Sequence, residues 1–465
     1  MQTRQPFDAL TSLLPSSKIL LHLARITRFV LRTPRKIFPD QLLRSVLLAV
    51  CGNTPHFRAV AEKISSFDQH EPSRQAVFAR LKNEAAPEFF YQAFRQILAD
   101  QYRRFAASRF AADLHLYTGI FQRIIIEDGS VLPLHRSLVE RFKGSVNQHG
   151  ETAALRLRWA FNFLTGQTID AGLHHWIEND MSTAFELIAF LKKGDLILRD
   201  MGYFCLRCFH EIAAKGAYFI TRLPEGTVVA DMDGERKMLP SMLRKSDGSV
   251  HEWQVRVGCS DSMEGRLVAA KIDAGKANER RRKLRKSCQE QGRTPSRDQL
   301  AMCQWVVVFT NVDAEMMDAE SVAQLYRARW MVEIFFKGMK SGQDLEKWSR
   351  HRTNENTIQC LAYAQMIIGL LSLNLWRLMG RMLAAAGRDA SNGETPGNKP
   401  GESPTWRTVG PIKAFELLVP MLDKFFAGIL KGRAIHAQLA RLSRYAEQEK
   451  RTRPTLDALI FGLLA

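Results

Sequence analysis

The chain lacks the features that anchor several common protein classes. Its seven cysteines, at positions 51, 205, 208, 259, 288, 303 and 360, are odd in number and scattered. That argues against a disulfide framework and for a reducing compartment. Cys205-Leu-Arg-Cys208 has no second ligand pair at zinc spacing, and His210 stands one residue too late for haem attachment. The first thirty residues hold scattered Arg and Lys and no clean apolar block before a small-residue cleavage site, so no signal peptide is expected. The best membrane candidate, Cys360 to Trp376, contains Gln365 and Asn374 and falls short of a full span, which predicts a buried helix instead. No internal repeat is visible. Acidic residues are also in deficit: 48 Asp and Glu against 66 Lys and Arg leave a net charge of +18. A polyanion is the commonest partner of so basic a protein, with an anionic membrane surface as the rival.

What is present suffices for two or three domains, since 46% of the 465 residues are hydrophobic. Residues 1–50 carry eight Lys or Arg against two Asp, interleaved with Leu, Ile and Phe. This is an amphipathic, basic, helical opening suited to phosphate contact. Helices are expected at Phe57–Ser66 and, capped by Ser73, at Arg74–Lys82, and the polar turn between them permits a helix-turn-helix reading. Helix continues over 85–115 with Arg103, Arg104 and Arg109. The texture changes at Gln122. Arg123 to Asp128 is a β-branched run ending in an acid and a Gly turn, and Ala153–Phe163 with Gln167–Trp176 reads as an antiparallel hairpin. A helix at Ser182–Lys193 leads to a second apolar strand ending at Asp200-Met-Gly, then a helix at Cys205–Lys215 and a strand at Ala217–Arg222. This order predicts an α/β mixed sheet with helices on its faces.

From 225 to 304 short polar strands alternate with turns, at Thr227–Ala230, Glu252–Val257 and Leu267–Ile272. Lys276 to Arg293 then packs eight basic residues against two acidic ones. We read 225–304 as a β-rich insertion whose basic run contacts DNA. Strand returns at Trp305–Thr310. A helix is expected over Tyr326–Lys340 and an apolar helix over Thr357–Ala386. Residues 387–405, rich in Gly, Pro, Ser and Asn, read as a flexible linker, and 406–465 as a helical region for self-association. The expected division is thus 1–120, 121–224, 225–304, 305–386, 387–405 and 406–465.

The chain is organised around Tyr326–Lys340. At about 100° per residue, Arg329, Glu333 and Lys340 lie within roughly 60° of Tyr326 on one helix face. The bland alternative is a solvated face with ordinary i,i+4 pairing. Asp128 and Asp200, each expected to end an apolar strand, would join Glu333 as three hard oxygen ligands suited to Mg²⁺ or Mn²⁺. Two such ions about 4 Å apart serve in-line phosphoryl displacement. Arg329 and Lys340 would then hold DNA phosphates, and Tyr326 would donate to another. Glu127 and Asp195 are rival ligands, but alternation should turn Glu127 to the face opposite Asp128.

Tyr326-(2)-Arg329-(3)-Glu333-(6)-Lys340 resembles the Y-R-E-K signature of bacterial insertion-sequence transposases of the DDE class. Asp128-Gly-Ser resembles that family's first aspartate motif and Asp200-Met-Gly-Tyr203 its second, over roughly residues 120–380. The resemblance implies a ribonuclease-H-like mixed-sheet core with a β-rich insertion, an N-terminal helical region binding transposon ends, and a C-terminal helical region that helps dimerise. It implies cut-and-paste transposition with Mg²⁺, for which Mn²⁺ substitutes, on double-stranded DNA at transposon ends and target, in a bacterial, nucleoid-associated setting. By placement alone, Trp305 resembles a tryptophan that stacks on a flipped base, and Arg222 resembles a DNA-contacting arginine. A ribonuclease-H-like nuclease that cuts without joining and an inactive DNA-binding derivative are the alternatives.

Overall fold

A computed structural model describes residues 14–67, 71–106, 120–147, 150–163, 166–177, 180–244, 248–259, 261–327, 329–341, 349–390, 411–430 and 433–446. Five helices open it: α1 (Ser17–Ile26), α2 (Pro39–Cys51), α3 (Phe57–Ser65), α4 (Arg74–Lys82) and α5 (Ala86–Ala106). As its sequence predicts, α4 starts on Ser73, whose hydroxyl accepts from the Ala76 N–H at 3.1 Å. The rest of the helix expected to 115, with Arg109, lies outside the described residues.

Strands β1 (Arg123–Pro133), β2 (Lys143–Asn147), β3 (Gly150–Asn162) and β4 (Thr168–His175) come next, then α6 (Asp180–Ile188), β5 (Asp195–Arg199), α7 (Leu206–Ala214) and β6 (Tyr218–Arg222). Beyond these lie β7 (Val229–Ala230), β8 (Arg236–Lys237), α8 (Leu239–Arg244), β9 (Val250–Val257), β10 (Met263–Lys271), α9 (Ala274–Glu290), α10 (Arg297–Met302) and β11 (Trp305–Thr310). The chain ends in α11 (Ala319–Arg327), α12 (Trp330–Ser341), α13 (Glu355–Ala390), α14 (Pro411–Phe426) and α15 (Arg433–Tyr445).

One mixed sheet runs β2-β3-β1-β5-β6-β11-β10-β9-β7-β8, with β4 also paired to β3. Its centre, β1-β5-β6, is parallel, and β3 and β11 flank it antiparallel. Alternation sorts the central strands between two cores. Ile124, Ile126, Leu196 and Leu198 face one cluster, and Ile125 and Ile197 the other. The first cluster is shared with α2, α5 and the helices α12 to α15, so the N-terminal and C-terminal helices bury the same sheet face. The apolar stretch Glu355–Trp376 within α13 is long enough to cross a membrane by composition, and most of it is buried inside the protein. It is a core helix, as the interrupting Gln365 and Asn374 predict.

Four expectations change. First, β1 does not end at Asp128. Gly129 makes no turn but pairs with Arg158, and the strand continues to Pro133, because β3 supplies a partner along its whole length. Second, the segment 225–304 leaves and returns between adjacent strands β6 and β11, yet its hairpin β9–β10 pairs onto β11 and lengthens the same sheet. The basic run within it is a regular helix, α9, capped by Asp273 on the Gly275 and Lys276 N–H groups.

Third, the helix expected over Tyr326–Lys340 is two helices, with Arg329 in the turn between α11 and α12. The two pieces serve different partners. Buried Val322 and Leu325 lie on α11, which packs on β6, β9 and β10, whereas Phe335 of α12 meets Trp159 at 4.7 Å and Phe415 at 5.7 Å between ring centres. One straight axis cannot aim both faces. Gly338 lets α12 approach α14 closely, since a Cβ there would lie 2.9 Å from the Phe415 ring. Fourth, 387–390 belong to α13, so the expected linker begins inside a helix, and its remainder lies outside the described residues.

Candidate active site

The face of β1 that carries Ile124 and Ile126 carries Asp128 next, and the end of β5 delivers Asp200 beside it. Asp200 closes the strand as the residue before a short 3-10 turn, Met201–Tyr203. The α11–α12 corner sits over this edge. Tyr326 Oη donates to Asp200 Oδ1 at 3.4 Å. Arg329 Nη1 donates to Asp128 Oδ2 at 3.0 Å, and its Nη2 donates to Glu333 Oε1 at 2.6 Å. One guanidinium and one phenol therefore draw together three carboxylates that lie up to about 200 positions apart in sequence. The Gly129 N–H donates to Asp128 Oδ1 at 2.8 Å, so the residue expected to turn the chain supplies a donor instead.

Solvent access is graded: the Asp128 side chain keeps 19% of its surface, Arg329 13% and Glu333 40%. Burial pushes the Asp128 carboxyl up to about 6; Arg329 and the Gly129 N–H pull it down, while Asp200 and Glu333 push it further up. Burial likewise raises the Tyr326 phenol. For Arg329, burial works against the charge, but Tyr326, Asp200, Asp128 and the Glu333 hydrogen bond outweigh it and raise its pKa. These carboxylates repel one another and share a cation.

The donor set suits a hard divalent ion, being three carboxylates converging on one edge. Arg329 now provides the positive charge there. Among the described residues no three His, Cys, Asp or Glu side chains already stand close enough to hold a metal together. Lys340, on the same helix as Glu333, donates from Nζ to the Val131 carbonyl at 3.1 Å, further along β1. Arg222, half-buried at the end of β6, borders the cluster: its charge lowers the Tyr326 pKa and adds to burial in lowering that of Arg280.

Trp305 departs from its expected role. It opens β11 at 3% exposure, with Lys271 Nζ 5.1 Å over its ring and His251 5.7 Å away between ring centres. In this structure the ring is core and offers no exposed stacking face.

Alternation also decides the rivals. Glu127 points away from Asp128 into the other core, fully buried, where it accepts from Arg158 Nη1 at 3.1 Å and Arg199 Nε at 2.7 Å. Asp195 sits at the far end of β5, buried against Arg123, whose Nε donates to it at 2.9 Å. Arg199 and Arg158 escaped sequence reading. For Arg199 the available signal was a charged residue immediately before an aspartate at the end of an apolar run, as Glu127 is before Asp128; Arg158, in the middle of β3, carried no such signal.

A transposase for insertion sequence element IS231E of Bacillus thuringiensis subsp. finitimus is 23% identical over 290 residues, covering 58% of this chain and 60% of the relative. A transposase for insertion sequence element IS1151 of Clostridium perfringens is 20% identical over 368 residues, covering 75% and 76%. The chain thus spans about 60% of the length of the IS231 relatives it matches. The piggyBac transposase synaptic complex with hairpin DNA aligns at a TM-score of 0.39 and 10% identity, over 98% of this chain and 88% of that one, too loose a match to establish a common fold. Residues 119–368, which hold Asp128, Asp200, Glu333 and all that links them, match the Transposase DDE domain over more than half of the chain, which belongs to that family.

Proposed function

We propose that this protein is a DNA transposase that cuts transposon ends and joins them to target DNA with a divalent metal. In this reading Asp128, Asp200 and Glu333 hold two ions, Mg²⁺ or Mn²⁺, on a ribonuclease-H-like core. The observation that carries it is the meeting of the three carboxylates around Arg329 and Tyr326. When bound, the metal supplies Lewis-acid charge for in-line attack of water or a 3′-hydroxyl on phosphorus. Asp128, Asp200 and Glu333 place their oxygens at the solvent-reached edge of the sheet. Arg329 has a prior engagement that the sequence does not reveal, because a phosphate arriving there competes with Asp128 and Glu333 for its guanidinium. Tyr326, Lys340 and Arg222 border the same edge and complete the phosphate-holding set.

Two surfaces extend this contact to double-stranded DNA. On α9, Arg282, Arg285 and Lys286 are exposed, while Arg280 and Arg281 turn inward to the carbonyls of Trp305 and Leu300. On α4, Arg74, Gln75, Phe78 and Lys82 form the outer face of the α3–α4 pair, and this is our candidate for reading transposon ends. The division into an end-binding region (1–120), a core (121–224 and 305–386), an insertion (225–304) and a dimerising C-terminal region (406–465) belongs to the same proposal, as does a cytoplasmic, nucleoid-associated homodimer.

The test is Mg²⁺-dependent cleavage and joining of the element's own end DNA by the natural chain and by Glu333→Gln. The amide keeps the shape and removes the charge. We expect end binding to survive and cleavage to fall on the order of a thousandfold or more. Equal cutting by the variant would exclude Glu333 as a ligand. Cutting without joining would favour a nuclease, and end binding without cutting by either protein an inactive derivative.

A further inference from the structure

We propose that Arg199 and Glu127 are positioning residues, whose buried ion pair sets the separation of Asp128 and Asp200. This rests on the reading that those aspartates hold a divalent ion. Each member of the pair immediately precedes one of the aspartates. The parallel register of β1 and β5 runs from Arg123↔Asp195 to Ile126↔Leu198, and β5 ends at Arg199. Asp200 therefore leaves the β1–β5 ladder just where its carboxylate is needed, with no backbone pairing to β1 to fix its distance from Asp128.

A side-chain tie takes over at that point. Arg199, 1% exposed, donates from Nε to Glu127 Oε2 at 2.7 Å and from Nη2 to the Ala184 carbonyl of α6 at 2.6 Å. Its guanidinium lies 5.5 Å from the Tyr203 ring, in the turn that follows Asp200. Arg199 thus grips β1, α6 and that turn at once. Glu127 is itself held from the other side by Arg158 Nη1, whose Nη2 donates to Asp170 and Glu186, each at 2.6 Å. Arg95 in turn donates to Asp170 at 3.2 Å. Three carboxylates and three guanidiniums make this network neutral, so it is stiff without an unpaired buried charge.

The same strand pair carries its own control. Arg123 and Asp195 form a second, partly buried ion pair at the opposite end of β1 and β5, Asp195 lying four residues before Arg199. Both pairs staple the strands, but only the Glu127–Arg199 pair adjoins the aspartates. Arg199→Lys keeps the charge and loses the planar fork that reaches Glu127 and Ala184 together. Glu127→Gln keeps the shape and loses the charge.

The experiment measures Mn²⁺ binding to the full chain by the electron paramagnetic resonance of free Mn²⁺, with thermal unfolding in chelator measured alongside. The proteins are the natural chain, Arg199→Lys, Glu127→Gln, Asp195→Asn and Asp128→Asn. We expect Arg199→Lys and Glu127→Gln to weaken Mn²⁺ binding about tenfold to a hundredfold, the range found when residues supporting metal ligands are changed. Asp195→Asn should lose melting temperature yet bind Mn²⁺ like the natural chain. If Arg199→Lys melts lower and binds Mn²⁺ unchanged, the pair is merely structural and the proposal falls. Should Glu127→Gln fail to fold, Arg199→Lys decides alone. If the natural chain binds no Mn²⁺, or Asp128→Asn binds it equally well, the metal-ligand reading itself fails, an outcome distinct from loss of the positioning role.

Discussion

The two faces of the β1–β5 strand pair are built from the same residue types and have opposite physical characters. On one face Glu127, Arg158 and Arg199 are sealed from water, every carboxylate has a guanidinium, and the network is neutral. On the other, one residue along, Asp128 and Glu333 share the Arg329 guanidinium beside Asp200, the cluster retains solvent access, and burial, with a smaller push from Asp200 and Glu333, raises the proton affinity of Asp128. A neutral, buried charge network holds a shape. An undersatisfied, water-reached cluster of like charges has affinity left over for a cation. Direct pairing and the exclusion of water, not the presence of acids in a strand, separate scaffold from candidate site.

The largest expected effect comes from Asp128→Asn, which should cut DNA cleavage on the order of a thousandfold while leaving the unfolding midpoint near that of the natural chain. Glu127→Leu should do the reverse. It leaves Arg158 and Arg199 buried without their shared carboxylate and should cost about 3–5 kcal/mol of stability, read by urea unfolding. Equal stability losses in the two variants would erase the distinction between the faces.

Arg329→Gln sharpens it further. Without the bridge, Asp128, Asp200 and Glu333 repel one another uncompensated. Because Glu333 is well exposed, the loss should be only on the order of 1 kcal/mol in chelator. Added Mn²⁺ should raise the melting temperature of this variant more than that of the natural chain, since the ion no longer displaces a guanidinium. The smallest effect is expected on the surface. Arg282→Gln with Arg285→Gln on α9 should leave stability unchanged and lower the slope of log DNA affinity against log salt by about one for each phosphate the variant no longer neutralises. An unchanged slope would remove α9 from the DNA-binding surface.

Much of this was legible in sequence because it is local. The cap at Ser73, the β-branched run before Asp128, the hairpin after it and the alternation that separates Glu127 from Asp128 all depend on neighbours within a few residues. The turn assigned to Gly129 failed because glycine marks a turn only when no strand lies alongside, and β3 does. The straight Tyr326–Lys340 helix failed for a related reason, as its apolar spacing is helical throughout but its two halves pack on different elements. Tyr326, Arg329 and Glu333 nevertheless converge, through a corner in place of a common helix face.

Trp305 shows the same limit, since a tryptophan opening a strand reads identically whether its ring is core or exposed, and burial chose core. By itself the sequence determined the charge balance and most of the strands and helices of the sheet's centre. Only the tertiary structure decided that Arg329 bridges Asp128 and Glu333, that Arg199 clasps Glu127, and that the 225–304 strands lengthen the central sheet. Most of those pairings join residues tens to hundreds of positions apart. Their energies depend on distance and burial, which no local pattern encodes.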